Sequence, residues 1–145
     1  MIALRDFLTE NGFDRVPLRR LASHHYKLNL RVNGKKASFI LDTGASASCL
    51  DENLAQQYAL SPNQDEILAT GAGSSNFATH QADNVLIDLG NLQLQQQSLI
   101  LLDLSHVNHA LAEVNEAPVE GILGADLLKA RRAVIDYGRN CLYLK

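Results

Sequence analysis

The sequence predicts an all-β protein, mostly strand with two or three short helices. Three observations carry this: apolar residues alternate with polar ones in short runs, turn residues separate those runs at close intervals, and helical spacing persists for only a few residues. With 145 residues and 15.9 kDa, the chain has the length of one domain. Chains of this size bury roughly 70% of their unfolded surface, enough for a self-sufficient core. A hydrophobic fraction of 46% against 20% charged residues argues against disorder.

Leu4, Phe7 and Leu8 stand at i, i+3, i+4 ahead of Asn11-Gly12, which predicts a short lead-in helix with a glycine stop. Tyr26, Leu28, Leu30 and Val32 alternate with Lys27, Asn29 and Arg31, the clearest strand in the chain, and Asn33-Gly34 supplies a type I′ hairpin turn. The return strand, Ala37 to Leu41, has the consecutive apolar residues of a buried strand and runs into Asp42-Thr43-Gly44. Asp51 is placed to cap a helix through about Tyr58, which Ser61-Pro62 ends. Between Ile67 and Thr79, the small residues Thr70 to Ser75 read as a hairpin tip.

Val85, Ile87 and Leu89 alternate ahead of Gly90-Asn91, and Leu92 and Leu94 resume the pattern, predicting a second hairpin. Leu99 to Leu102 reads as a buried strand, Ser105 to Glu116 as a loop or weak helix, and Gly121 to Gly124 as a short apolar strand. A helix from Asp126 to about Arg132 and a closing strand pair, Ala133 to Tyr137 with Cys141 to Leu144, complete the chain.

Charge is unevenly placed. Residues 1–36 carry eight Lys and Arg against three acids, while residues 37–128 carry twelve acids and no Lys or Arg. So acidic a body disfavours nucleic-acid binding, which needs clustered cations. Any cleft built from it is predicted to be negative unless the basic lead, residues 1–20, or Arg131 and Arg132 fold over it. The longest uninterrupted aliphatic run, Leu99 to Leu102, is far short of a membrane span, and Arg5, Asp6 and Glu10 interrupt any signal-peptide core. Cys49 and Cys141 have no CxxC spacing, so the default is a reducing, cytoplasmic setting with no membrane partner.

Asp42-Thr43-Gly44-Ala45-Ser46, preceded by Phe39-Ile40-Leu41, is the strongest motif. A carboxylate at a buried strand end, then a hydroxyl, then a residue without Cβ, suits chemistry by two carboxylates in close contact. About 80 residues further on stands Ile122-Leu123-Gly124-Ala125-Asp126-Leu127-Leu128. With these two segments, the chain from about Tyr26 to Leu144 resembles the retropepsin-like aspartic proteases. Their signature is an apolar pair, Asp-Thr/Ser-Gly-Ala/Ser, and later an apolar-apolar-Gly segment followed by a helix.

The resemblance implies a closed acid-protease β-barrel, one lobe per chain, over residues 21–145, following the 1–20 lead. Asp42 would be the catalytic carboxylate, Thr43 would hydrogen-bond across a two-fold axis, and Gly44 would let the carboxylates lie nearly coplanar. Ala45 and Ser46, with a flap tip at Gly71, Ala72 and Gly73, would line the substrate cleft. Gly124 and Asp126 would support the catalytic loop from behind. The chain holds one Asp-Thr-Gly, Asp88-Leu89-Gly90 and Asp136-Tyr137-Gly138 lacking the hydroxyl, so a complete dyad implies a homodimer. Viral members of the family brace this region with an Asp–Arg pair, whose positions are Ser46 and Ala125 here.

The implied activity is aspartic endopeptidase action on an extended polypeptide, with no metal or organic cofactor. The rival is a catalytically silent dimer that binds a peptide or protein in the same cleft. Gly44-Ala45-Ser46-Ala47-Ser48 approaches a nucleophile elbow but ends in Ser without an α/β pattern. His24, His25, His80, His106 and His109 read as solvated surface rather than metal ligands, and Cys49 as a small buried hydrophobe rather than a nucleophile.

Overall fold

A computed structural model describes residues 1–63, 67–69 and 77–145, with strand segments 67–69 and 77–79 described by their backbone. The chain runs α1 (Leu4–Glu10), β1 (Asp14–Pro17), β2 (Arg19–Arg20), β3 (Tyr26–Val32), β4 (Lys35–Leu41), β5 (Cys49–Asp51), β6 (Ile67–Ala69), β7 (Phe77–Leu89) and β8 (Leu92–Leu102). Then follow α2 (Ser105–Glu113), β9 (Gly121–Leu123), α3 (Ala125–Ala130), β10 (Val134–Asp136) and β11 (Cys141–Leu144).

Strands β3, β4, β9, β5, β8 and β7 pair in that order, and β7 pairs back to β3, so the sheet closes into a six-stranded barrel. Closure removes the free edges that an open sheet would expose. The parallel pair β4–β9 puts the end of β4, and hence Asp42, beside the β9–α3 junction. A second sheet, β1–β11–β10, has β11 at its centre.

Alternation decides which residues fill the barrel. Leu28, Leu30 and Val32 of β3 point inward and Asn29 and Arg31 outward, meeting Phe39, Leu50, Tyr58, Ile87, Leu94, Leu99 and Leu123 in the main core. Strand β4 is buried on both faces: Phe39 enters the barrel, while Ile40 packs with Leu21, Leu111 and Val119 under α2. The β3–β4 turn is left-handed at Asn33 (φ 48°) and Gly34 (φ 85°), the type I′ geometry expected of that dipeptide. Asn33 also ties the turn to the barrel, its Oδ1 accepting from the Leu86 amide at 2.9 Å and its Nδ2 donating to the Tyr58 carbonyl at 2.8 Å.

Three readings change. The helix expected from Asp51 to Tyr58 is a 3₁₀ turn at Glu52–Leu54 and a loose turn beyond it. Asp51 does cap it through Asn53, but burying Tyr58 and Leu60 in the barrel forces the chain through a left-handed Ala59 (φ 56°). The segments at Leu92–Leu94 and Leu99–Leu102 are one strand, β8. Gln96 is left-handed (φ 54°) and the β7–β8 register shifts nearby, which breaks the alternation by which a single strand is recognised. Strands β1 and β2 lie in the basic lead, where no strand was expected: β1 pairs with β11, and Val16 and Leu18 join the main core. The expected lead-in helix stands as α1, with Leu8 buried against Cys141 and Tyr143 and with Leu4 and Phe7 exposed.

Candidate active site

Strand β4 delivers Asp42 to solvent at the mouth of the barrel. Its amide donates to the Leu123 carbonyl at 3.0 Å, the last bond of the β4–β9 ladder, and its carboxylate Oδ1 accepts from the Gly44 amide at 2.9 Å. The Ala45 amide donates to the Asp42 carbonyl, closing a tight turn over Thr43 and Gly44. A Cβ on Gly44 would stand 3.3 Å from Asp42 Oδ1, so the missing side chain leaves room around the carboxylate. Asp42, Thr43, Gly44 and Ser46 are all exposed, and Ala45 is half-buried.

Behind this loop stands a brace from β9 and α3. A Cβ on Gly124 would lie 2.7 Å from the Ala45 carbonyl oxygen and 2.9 Å from the Ala47 carbonyl carbon, so the two main chains meet at a distance only glycine allows. The Ala125 amide donates to the Ala45 carbonyl at 2.7 Å. Ser48, almost fully buried, joins the two sides: its Oγ accepts from the Gly124 amide at 2.9 Å and donates to Asp126 Oδ1 at 2.7 Å, and its amide also donates to that carboxylate. Asp126 further accepts from the Leu127 amide in the first turn of α3, where a carboxylate also suits the helix dipole. With Ser46 and Ala125 unable to form an ion pair, main-chain contact and the Ser48–Asp126 link hold the loop instead.

In front of Asp42 lies a pocket of about 510 Å³. Leu18, Leu41 and Ile135 give it an apolar floor, and Asp42, Thr43, His24, His25, Tyr26 and Tyr137 form its polar rim. The Tyr26 and Tyr137 rings lean together with centroids 5.0 Å apart. Of the basic lead, residues 1–20, Leu18 lines this pocket and none of its cations does, while Asp42 is the only carboxylate among the described residues that line it. His24 and His25 are exposed, as expected, and they also line the candidate site, because the β2–β3 hairpin loop at 21–25 turns its tip toward Asp42.

Glu116, at the end of α2, positions that loop. Its carboxylate accepts from Arg19 and from the Ala22 amide, each at 2.6 Å, and the Arg19 bond first, then the amide, hold the Glu116 carboxyl below its ordinary range. Cys49, directly after the loop, is buried, which pushes its thiol up to about 12 and leaves it without thiolate character. Among the described residues, no three His, Cys, Asp or Glu side chains converge as a metal would require.

Asp42, Thr43, Gly44, Ala45, Ser46, Gly124 and Asp126 thus share one region. The expected flap tip at Gly71, Ala72 and Gly73 lies outside the described residues, although β6 pairs antiparallel with the start of β7 on either side of it. Ser48, Glu116 and the histidine pair were not foreseen as parts of the site. Only Ser48 leaves a local trace, as a hydroxyl directly ahead of the buried strand Cys49–Asp51.

A sequence profile described as "Aspartyl protease" matches residues 28–127. No curated protein sequence matches the chain. Among solved structures, a retropepsin-like aspartic protease from Rickettsia conorii is similar over 92% of this chain and 91% of its own, at 18% identity and a TM-score of 0.60. The retroviral protease-like domain of Ddi1 from Leishmania major is similar over 82% and 86%, at 14% identity and a TM-score of 0.56. EIAV protease, solved with the inhibitor HBY-793, is similar over 75% and 89%, at 21% identity and a TM-score of 0.51. These likenesses establish the retropepsin-like barrel.

Proposed function

The chain belongs to the aspartyl protease family, and on that premise we propose that it is an aspartic endopeptidase, active as a homodimer, that hydrolyses peptide bonds in extended polypeptides. One observation carries this reading: Asp42 is presented to solvent on a loop held rigidly from behind, in a chain with a single Asp-Thr-Gly. Its carboxylate takes a local bond from the Gly44 amide yet still faces solvent, and a second copy supplies the partner carboxylate that the dyad needs.

Two Asp42 carboxylates about 3 Å apart cannot both ionise, so they share a proton and titrate as a pair. The ionised member takes a proton from a bound water, which attacks the peptide carbonyl. The protonated member donates to the carbonyl oxygen as negative charge develops there, and later a proton passes to the leaving amine. Thr43 bonds across the two-fold to fix the two loops, while Gly44, Ala45 and Ser46 contact the substrate backbone, with Gly71, Ala72 and Gly73 closing over it. No metal or organic cofactor takes part.

Among the described residues no helix is long and apolar enough to cross a membrane. Together with two free, buried cysteines, this supports a cytoplasmic enzyme acting on polypeptides. The test is mass-spectrometric detection of cleavage in a peptide library. Wild type is expected to cut and Asp42→Asn to leave every peptide intact. Cleavage that survives Asp42→Asn, or a wild type that binds peptides and cuts none, overturns the reading, the latter in favour of a silent binding module.

A further inference from the structure

Resting on that reading, we propose that the β2–β3 hairpin loop, with Arg20 behind it, is a cationic subsite wall that selects an acidic substrate side chain next to the scissile bond. Because the pocket rim includes both Asp42 and the histidines, a side chain entering it belongs to a residue close to the bond being cut. Dimer symmetry would place one such pocket on either side of that bond.

The wall is rich in donors. Arg20 approaches His24 Nδ1 at 2.7 Å, and a guanidinium only donates, so Nδ1 accepts and the proton of the neutral ring sits on Nε2. His25 Nδ1 pairs with Ser23 Oγ at 2.9 Å. Arg19 is already engaged by Glu116, which leaves Arg20 as the permanent positive charge on this loop. Arg20 stands against His24 and the Ser23 hydroxyl against His25, and Tyr26, Tyr137 and Asp42 line the same pocket, Asp42 being the only anion among its described lining residues.

The wall is also built. The Leu21 amide bonds the His25 carbonyl and the His24 amide bonds the Leu21 carbonyl, both at 2.8 Å, with His24 held left-handed (φ 72°). Leu21 is anchored in the small core beneath α2, and Glu116 holds Arg19 and the Ala22 amide. A preformed wall of donors loses little freedom when a carboxylate arrives. The acidic body alone would have favoured basic peptides; the Arg20-backed loop reverses that preference at this position.

The experiment compares kcat/KM of the full-length wild type on matched peptides carrying Glu, Gln or Lys beside the scissile bond. We expect Glu over Gln by about five- to tenfold, the scale of a partly desolvated ion pair, with Lys poorest. In the triple variant Arg20→Gln, His24→Gln, His25→Gln, the Glu:Gln ratio should fall to within about twofold of unity, and Arg20→Glu should reverse the order of Glu and Lys. Unfolding midpoints verify that both variants fold, and the wild-type ranking needs no variant. A wild type that cuts the Lys peptide as well as the Glu peptide, or a triple variant that keeps the preference, overturns the proposal. Binding of the same labelled peptides to Asp42→Asn, read by fluorescence anisotropy, separates the two levels. Acid-selective binding without wild-type cleavage overturns the enzyme reading and upholds the subsite. Cleavage without acid selectivity does the reverse.

Discussion

The floor and the wall of the cleft are held by different forces. The floor, the Asp42 loop against β9 and α3, is fixed by excluded volume: glycine backbone against carbonyl, and a buried Ser48 whose hydroxyl bonds both sides. The wall, residues 19–25, is anchored by Leu21 in the small core beneath α2 and tied at its surface by one carboxylate, Glu116, to an exposed Arg19 and the Ala22 amide. Close main-chain packing and buried hydrogen bonds respond little to salt, whereas an ion pair with an exposed partner is screened by it. The chemistry therefore sits on the rigid part and the choice of substrate on the adjustable part.

The comparison is broken most severely at Gly124. In Gly124→Ala the new Cβ meets the Ala45 and Ala47 carbonyls, so the Asp42 loop must move. Overpacking of this kind costs about 1–3 kcal/mol, and a displacement of roughly 1 Å lowers turnover about 100-fold. Denaturant unfolding and peptide cleavage measure the two effects, and near-wild-type activity would mean that the floor is softer than described. Ser48→Ala should come next. It leaves the Gly124 amide without its partner and removes a bond to Asp126, at a cost of about 1–3 kcal/mol, with activity lowered but not abolished.

Glu116→Gln tests the wall and should be milder still, with a small change in unfolding midpoint and a weaker discrimination among substrates, both of which high salt should mimic in wild type. Because the Glu116 carboxyl is held below its ordinary range, its clamp contributes stability that is fully present above the unfolded carboxyl's value of about 4.3 and is lost as pH falls through the lower folded value. The clamp should accordingly hold the wall unchanged above about pH 5, and discrimination should fade first as the substrate Glu itself protonates near about 4.3. The smallest effect concerns Cys49. With its thiol near 12 and buried, alkylating reagents at pH 8 should leave the native protein unlabelled and fully active, and rapid labelling would show that the floor opens.

How much could be read in advance divides along the same line. The β3–β4 hairpin, the strand ending at Asp42 and the glycine of the later apolar segment were legible because period-2 alternation, an Asn-Gly turn and a missing Cβ are local signals. Strand β1 was not: of Asp14–Pro17 only Val16 is buried, and its partner β11 lies at the other end of the chain. Asp126 was expected behind the catalytic loop, but its partner Ser48 looks ordinary until folding brings the two within 2.7 Å. The histidines lie on the surface, as read, but their place beside Asp42 was not legible, because nothing between Leu21 and Tyr26 shows which way a five-residue loop will lean. That depends on Glu116, more than 90 residues later. Contacts made by one element with itself were visible, and those between distant elements were not.

The central claim is that one Asp42 from each of two chains makes one site. It is tested by mixing wild-type and Asp42→Asn subunits at fixed total concentration and allowing exchange. Asn is nearly isosteric, so the variant should fold and pair, and a site with a single carboxylate lacks either its base or its acid. Activity should fall as the square of the wild-type fraction, to about a quarter at an equal mixture, and the specific activity of wild type alone should drop on dilution below the dimer dissociation constant. A strictly linear fall with dilution-independent activity would show that one chain carries a whole site, and would contradict the account.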